Sequence, residues 1–191
     1  MTSIVSSLSL SQIRQLSTET IQQWSTEDVA SLSTSQIGAF SSKQIAALEL
    51  EDIGILSDGQ ISAISQGAII GLSLDQIGAL THSSIENLTT GQVAVLTASQ
   101  VGALSADQAE ALTPSQVQAL GTAQLAALAP EDLATFSTED MAAISYKAVQ
   151  GLSPAALAAL SSGQVAALAP LAVAGLTTDQ TERSRPTRSP R

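Results

Sequence analysis

The 191-residue chain contains no cysteine. Disulfides, thiolate zinc sites, iron–sulfur clusters and cysteine nucleophiles are therefore excluded. Aromatic residues are scarce: Trp24, Phe40, Phe136 and Tyr146 are all there are. A core built on large rings is excluded, and stability has to come from many small aliphatic contacts. With a single histidine, a Ser–His–Asp triad would have to assemble around His82. No stretch approaches the roughly 18 consecutive apolar residues of a membrane-spanning helix. The glycines form neither GxGxxG nor GxxxxGK, so no phosphate-binding loop is expected. The first residues, MTSIVSSLSLSQIRQL, carry neither a basic n-region nor a continuous apolar h-region, and no Sec-type signal is expected there.

Basic residues are rare in most of the chain. Residues 1–182 hold Arg14, Lys43 and Lys147 against 17 acids, a net −14, whereas the last nine, RSRPTRSPR, hold four arginines and no acid. An acidic body does not bind nucleic acid through phosphate contacts. The arginine-rich end reads as a solvated terminus, with weak binding of nucleic acid as the alternative. Hydrophobic residues at 44% are too many for a disordered chain.

What is present is a repeat. The chain divides into octads, octad n ending at residue 8n. The eighth position is Leu, Ile, Phe or Trp at 22 of 22 sites from Leu8 to Leu176. The fifth is Ile, Val, Leu or Met at 20 of 21 sites from Ile13 to Val173, with Ala109 the exception. The first is Ser or Thr at 18 of 22 sites, the fourth Gln or Asp at 16 of 22, and the register runs without insertion or deletion. In a strand, positions five and eight would face opposite ways. In a helix they share a face.

Ser/Thr-x-x-Gln/Asp is a capping box, in which the N-cap hydroxyl accepts from the N3 amide and the N3 side chain reaches back to the N-cap amide. Pro114, Pro130, Pro154 and Pro170 all occupy the second position, which is then N1, where proline's missing N–H costs nothing. Acids gather at N2 and N3 (Glu27/Asp28, Glu51/Asp52, Glu131/Asp132, Glu139/Asp140), as the helix dipole favours.

One continuous helix is excluded, because eight residues advance its apolar stripe by roughly 80° per octad and interior prolines cost about 3 kcal/mol each. The chain must turn at every octad, giving helices of about seven residues, roughly 10 Å long. Helices this short survive only by stacking. The octads show no 16-residue alternation. The expected fold is all-α: a solenoid or superhelix of about 22 eight-residue short-helix repeats. Residues 1–8 form an N-terminal end unit, 9–180 the solenoid, and 181–191 a basic, disordered tail. The small seventh position, including Gly71, Gly151 and Gly175, is expected to let backbones approach closely.

The run LTTGQVAVLTASQVGALSADQAEALTPSQVQAL, Leu88 to Leu120, resembles the octapeptide helical repeats of some large bacterial proteins often labelled heme-utilisation or adhesin-like. The resemblance covers about residues 8–180. It implies a bacterial repeat protein, secreted or at the cell surface without a Sec signal. Heme ligation needs His, Cys, Met or Tyr, and this chain offers only His82, Met141, Tyr146 and Met1. Met141 lies in the Ile column, while His82 and Tyr146 occupy N1, eight octads apart.

The serines are accounted for as caps, and the N2/N3 acids diverge around the helix. Glu131, Asp132, Glu139 and Asp140 are the best candidates for a hard-cation site, although no Asp/Gly calcium loop accompanies them. Asn87-Leu88-Thr89 is a sequon that also reads as a helix end. Trp24, Phe40 and Phe136 belong to the Leu column and are expected in the core. The chain is read as no enzyme, with no catalytic residue, cofactor or bound metal. It is expected to be a protein-binding, adhesion or spacer scaffold, or alternatively a secreted effector or toxin-like protein given its Ser/Thr-rich first residues. A protein partner or self-association is expected, with no nucleic acid bound through the acidic body and no membrane. The chain itself would be a monomer or a weak dimer joined through Ile4, Val5 and Leu8.

Overall fold

A serine or threonine at the first octad position takes an extended conformation, φ −68° and ψ 158° at Ser57, and its hydroxyl accepts the amide three residues on. That starts a helix at position two, and the same start recurs along the chain. The computed structural model describes residues 4–168. They form nineteen α-helical segments of four to six residues and two 3-10 segments, Ile4–Ser7 and Ala148–Gly151, without a strand among the described residues. Pro114, Pro130 and Pro154 are each the first helical residue. Pro170 lies outside the described residues, as do Val173, Gly175, Leu176 and the 181–191 tail.

The helices are shorter than the seven residues expected, for a hydrogen-bonding reason. The amide of position eight bonds back three residues to the carbonyl of position five, as in Leu48 N–H to Ile45 (3.2 Å) and Leu96 N–H to Val93 (3.2 Å). This tightens the last turn and ends the α-helix early. Position eight and the next cap then run extended: Leu80 sits at φ −63°, ψ 133° and Thr81 at φ −74°, ψ 165°. Each corner is thus two extended residues, and no described residue has a positive φ.

Helices pack three octads apart. Leu10–Gln15 lies on Thr34–Ile37, Thr18–Ile21 on Ser42–Ala46 and Thr26–Ala30 on Leu50–Gly54, and the relation continues to Thr138–Ala143 on Ser162–Ala167. Three octads, twenty-four residues, therefore make one turn of a three-faced solenoid. Stacked helices set successive turns about 8–10 Å apart.

The interior follows from the columns. Position five is at most 1% exposed from Ile13 to Val149, Ala109 and Met141 included, and position eight is 2–6% exposed from Leu32 to Leu152. Phe40 and Phe136 are buried, and Trp24 packs against the core with its ring 6.2 Å from that of Phe40. Burying such aliphatic side chains contributes about 1.5–3 kcal/mol each. The N-terminal end departs from expectation. Val5 is buried under the first turn and Leu8 packs against the core, so of the three expected apolar residues only Ile4 is fully exposed, at 81%.

A third column is polar. The buried polar side chains among the described residues all stand at position four. In Gln116, Oε1 accepts the Thr113 amide (2.7 Å), completing the capping box. Its Nε2 donates to the Ile85 and Leu88 carbonyls (2.7 Å each), 31 and 28 residues earlier. Gln44, Gln60, Gln76, Gln92, Gln100, Gln108 and Gln124 repeat the pattern onto positions five and eight of the octad four before. Gln36 starts it on Val5 and Leu8, and Gln164 repeats it on Leu133 and Phe136. Each glutamine therefore joins the N-terminus of its own helix to the C-terminal carbonyls of the turn beneath.

Where Ala stands at position four, Gly stands at position seven in octads 9 and 19. Ala68 and Ala148 are fully buried. A Cβ on Gly71 would overlap the Ser42 backbone, and one on Gly151 the Thr122 carbonyl. At these two octads the backbones approach too closely for a Cβ, and glycine is required.

Gln116→Ala strands the Thr113 amide and the Leu88 carbonyl and leaves the Ile85 carbonyl with only the Leu88 amide, and is expected to destabilise by about 2–4 kcal/mol. Gln116→Glu keeps the box but sets a buried carboxylate against two carbonyl oxygens. It should cost at least as much at neutral pH and recover part of the loss on acidification. Chemical denaturation at two pH values checks both. Equal stability of Gln116→Glu and wild type at neutral pH would contradict the second role.

Candidate interaction surface

Positions two, three and six remain outside. Two and six are four apart, three and six three apart, so each short helix presents them to solvent as one triangle. Turn after turn these triangles stack in register, so residues 24 apart share a column on a face.

The acidic pairs split across this boundary. Asp52, Asp132 and Asp140 at N3 are buried, and Asp28 is half-buried, whereas their N2 partners Glu51, Glu131, Glu139 and Glu27 are exposed. The two carboxylates of each pair point apart, as the helical spacing requires. Among the described residues no three His, Asp or Glu side chains gather to hold a metal ion. Glu131, Asp132, Glu139 and Asp140 are thus not brought together as a site. His82 is exposed at the start of His82–Glu86, Tyr146 is 51% exposed on another face, and Met141 is fully buried. These three potential heme ligands do not converge, and Met1 lies outside the described residues. Asn87 caps the C-terminus of His82–Glu86, its Nδ2 donating to the Ser83 carbonyl (3.0 Å). Among the described residues no helix is long and apolar enough to cross a membrane.

Aspartate at position four completes the capping box but has no N–H to give to the turn beneath. Asp52 Oδ2 accepts the Glu49 amide (3.0 Å), and Asp132 Oδ2 that of Ala129 (3.0 Å). Asp140 Oδ2 accepts from Ser137, and its Oδ1 is buried without a partner. Burial raises the Asp52 carboxyl above the ordinary range against the lowering effect of the Glu49 amide, and the Glu49 and Glu51 charges add to the rise. Burial likewise raises Asp132, with the Ala129 amide opposing it and Glu131 assisting. The exposed Glu139 is lowered, first by its own backbone amide and then by the Thr138 hydroxyl.

Two of the hollows among the described residues are formed by residues on successive turns. One, of about 340 Å³, is lined by His82, Glu86, Glu110, Thr113, Ser137 and Asp140 among others. Glu86 and Glu110 are 24 residues apart, at position six of successive turns. The other, of about 570 Å³, is a shallow shelf formed by Leu50, Leu74, Asp75, Gly78, Ala79 and Ala103. Leu50 and Leu74 are again 24 apart, 44% and 49% exposed. Neither alignment is visible until the number of octads per turn is known.

The ALTTAQ repeat family model matches residues 5–42 and 133–170. Both stretches begin at position five of an octad, so the likeness follows the octad register and supports a repeat protein. Among curated proteins none matches the chain.

A carboxyl whose folded-state pKa is raised contributes stability that is present at low pH and lost as the pH rises through that pKa. Wild type should therefore gain stability relative to Asp52→Asn/Asp132→Asn as the pH falls from about 7 toward the usual carboxylate range near 4. Thermal melts of both proteins across that range check the sign. Parallel melting curves would show these carboxyls to be unperturbed.

Proposed function

We propose that this ALTTAQ-like chain is a non-enzymatic repeat scaffold whose lateral faces bind another protein, as an adhesion or spacer module of a bacterial secreted or cell-surface protein. One observation carries the reading. The fold itself occupies the position-one serines and threonines, which cap helices, and the position-four glutamines, which join turns. Positions two, three and six are left as continuous columns on rigid, stacked helices. Such lateral surfaces are what solenoids use to recognise partners. The resemblance to octapeptide repeats of adhesin-like bacterial proteins supports the same setting.

The absence of cysteine makes a direct test practical. Single cysteines placed at exposed positions on different faces, Asp75→Cys, Asp107→Cys and Glu139→Cys, can each carry a photo-crosslinker. The expected result is saturable capture of one protein from the surface or extract of the source cells, concentrated on one face and competed by unlabelled chain. Capture that is absent at every site, or equal on all faces and not competed, would overturn the binding reading.

A further inference from the structure

Among the three faces, one combines exposed leucines with acids. The face runs from octad 1 to octad 19 in steps of three, and the strip is its stretch through octads 4, 7, 10, 13 and 16. Its outer columns are Thr26, Leu50, Leu74 and Ala98 at position two, Glu27, Glu51 and Asp75 at position three, and Ala30, Gly54, Gly78 and Gly102 at position six. Leu50 and Leu74 stand side by side on neighbouring turns over the floor made by Gly78, Ala79 and Ala103. A second hollow, formed by Thr26, Glu27, Ala30 and the 45% exposed Ile55, continues the same strip one turn earlier. No lysine or arginine occurs in those five octads, and Lys147 in the same column stands three turns beyond Asp75.

We infer that this strip docks a basic amphipathic α-helix of a partner protein. The inference rests on the protein-binding reading and gives that partner a chemistry. The apolar shelf calls for an apolar residue on each turn. The Glu27–Glu51–Asp75 column beside it calls for a cation at the same spacing. Turns repeat about every 8–10 Å, and seven residues of an α-helix span about 10.5 Å. A helix inclined by about 20–30° to the solenoid axis, with a leucine and a flanking arginine or lysine in each heptad, advances about one turn per heptad and meets shelf and acids together. The small residues at position six leave room for its backbone. A second copy of this chain offers the wrong charge, since residues 1–182 carry a net −14. The chain's own RSRPTRSPR end offers arginines but no apolar residue for the shelf.

The test uses the full-length chain and a labelled 21-residue helical peptide with leucine and arginine in each heptad, together with a twin carrying glutamate for arginine. Binding is read by fluorescence anisotropy at several salt concentrations. Wild type should bind the arginine peptide at least tenfold more tightly than the twin, and more weakly as salt rises. Leu50→Asp/Leu74→Asp should weaken binding at least tenfold, and Glu51→Gln/Asp75→Asn should weaken it and flatten the salt dependence. Glu139→Gln, on another face, should leave it unchanged.

A deletion separates the site from the fold. Removing residues 57–64 keeps the octad register but brings the His82 octad over Leu50 in place of the Leu74 octad. Binding should be lost while helicity and cooperative melting remain. Removing the whole turn 129–152 should leave binding intact. The inference is overturned by equal affinity for the two peptides, by wild-type affinity in the double-leucine variant, or by affinity that rises when residues 183–191 are removed, which would make the chain's own end the occupant. Any of these results alongside positive capture by the crosslinking chain would reject this strip while leaving the binding reading in place.

Discussion

A helix of four to six residues is nearly all terminus, and its unpaired amides and carbonyls are the constraint on which the rest of this structure depends. An ordinary helix loses the bonds of its first and last turns and keeps those between. Here there is almost no interior, so most backbone groups need a partner from elsewhere. The cap hydroxyl takes the N3 amide, the glutamine oxygen takes the cap amide, and the glutamine N–H₂ group takes two carbonyls from the turn below. One side chain thus satisfies groups at both ends of the short helices, and does so inside a core that excludes competing water. Buried polar groups are costly when unpaired and specifying when fully paired. Ten such glutamines among the described residues therefore fix both the spacing of the turns and their rotation.

Departures from the pattern follow the same logic. Asp52, Asp132 and Asp140 keep the capping half and give up the half that joins turns, leaving Asp140 Oδ1 without a partner. Ala68 and Ala148 give up both halves, and Gly71 and Gly151 let the backbones close the gap. Octads 12–16 hold five successive glutamine joints, while octads 17–20 hold Asp132, Asp140, Ala148 and Ala156 instead. The second 3-10 segment, Ala148–Gly151, falls in that unjoined stretch. Local opening is drawn from regions with fewer such bonds.

The local layer of this fold was legible in the sequence, because its determinants lie within eight residues. Cap boxes, N1 prolines and the Ile and Leu columns place each helix start and the interior, as Ser57, Pro114, Ile61 and Leu104 show. Helix length is less legible, since column spacing does not reveal that position eight bonds back to position five. The burial of Val5 is not legible either, because it depends on a turn 24 residues further on. The number of octads per turn, and with it the Leu50–Leu74 shelf, also depends on contacts more than 20 residues apart. One signal for the glutamine joints was in plain view: position four is never Glu. Glutamate would complete a capping box as well as glutamine does, so its absence marks the need for the N–H₂ donor.

The central claim is that the position-four glutamines hold successive turns together, and their side-chain amides report on it directly. Hydrogen exchange of Gln Nε2 protons, followed by NMR on the full chain, separates the cases. The Nε2 protons of Gln92, Gln100, Gln108, Gln116 and Gln124 are expected to exchange far more slowly than those of the exposed Gln66 and Gln118, and to be released together with the core amides around them. Buried and exposed glutamines exchanging at one common, free rate would contradict the account.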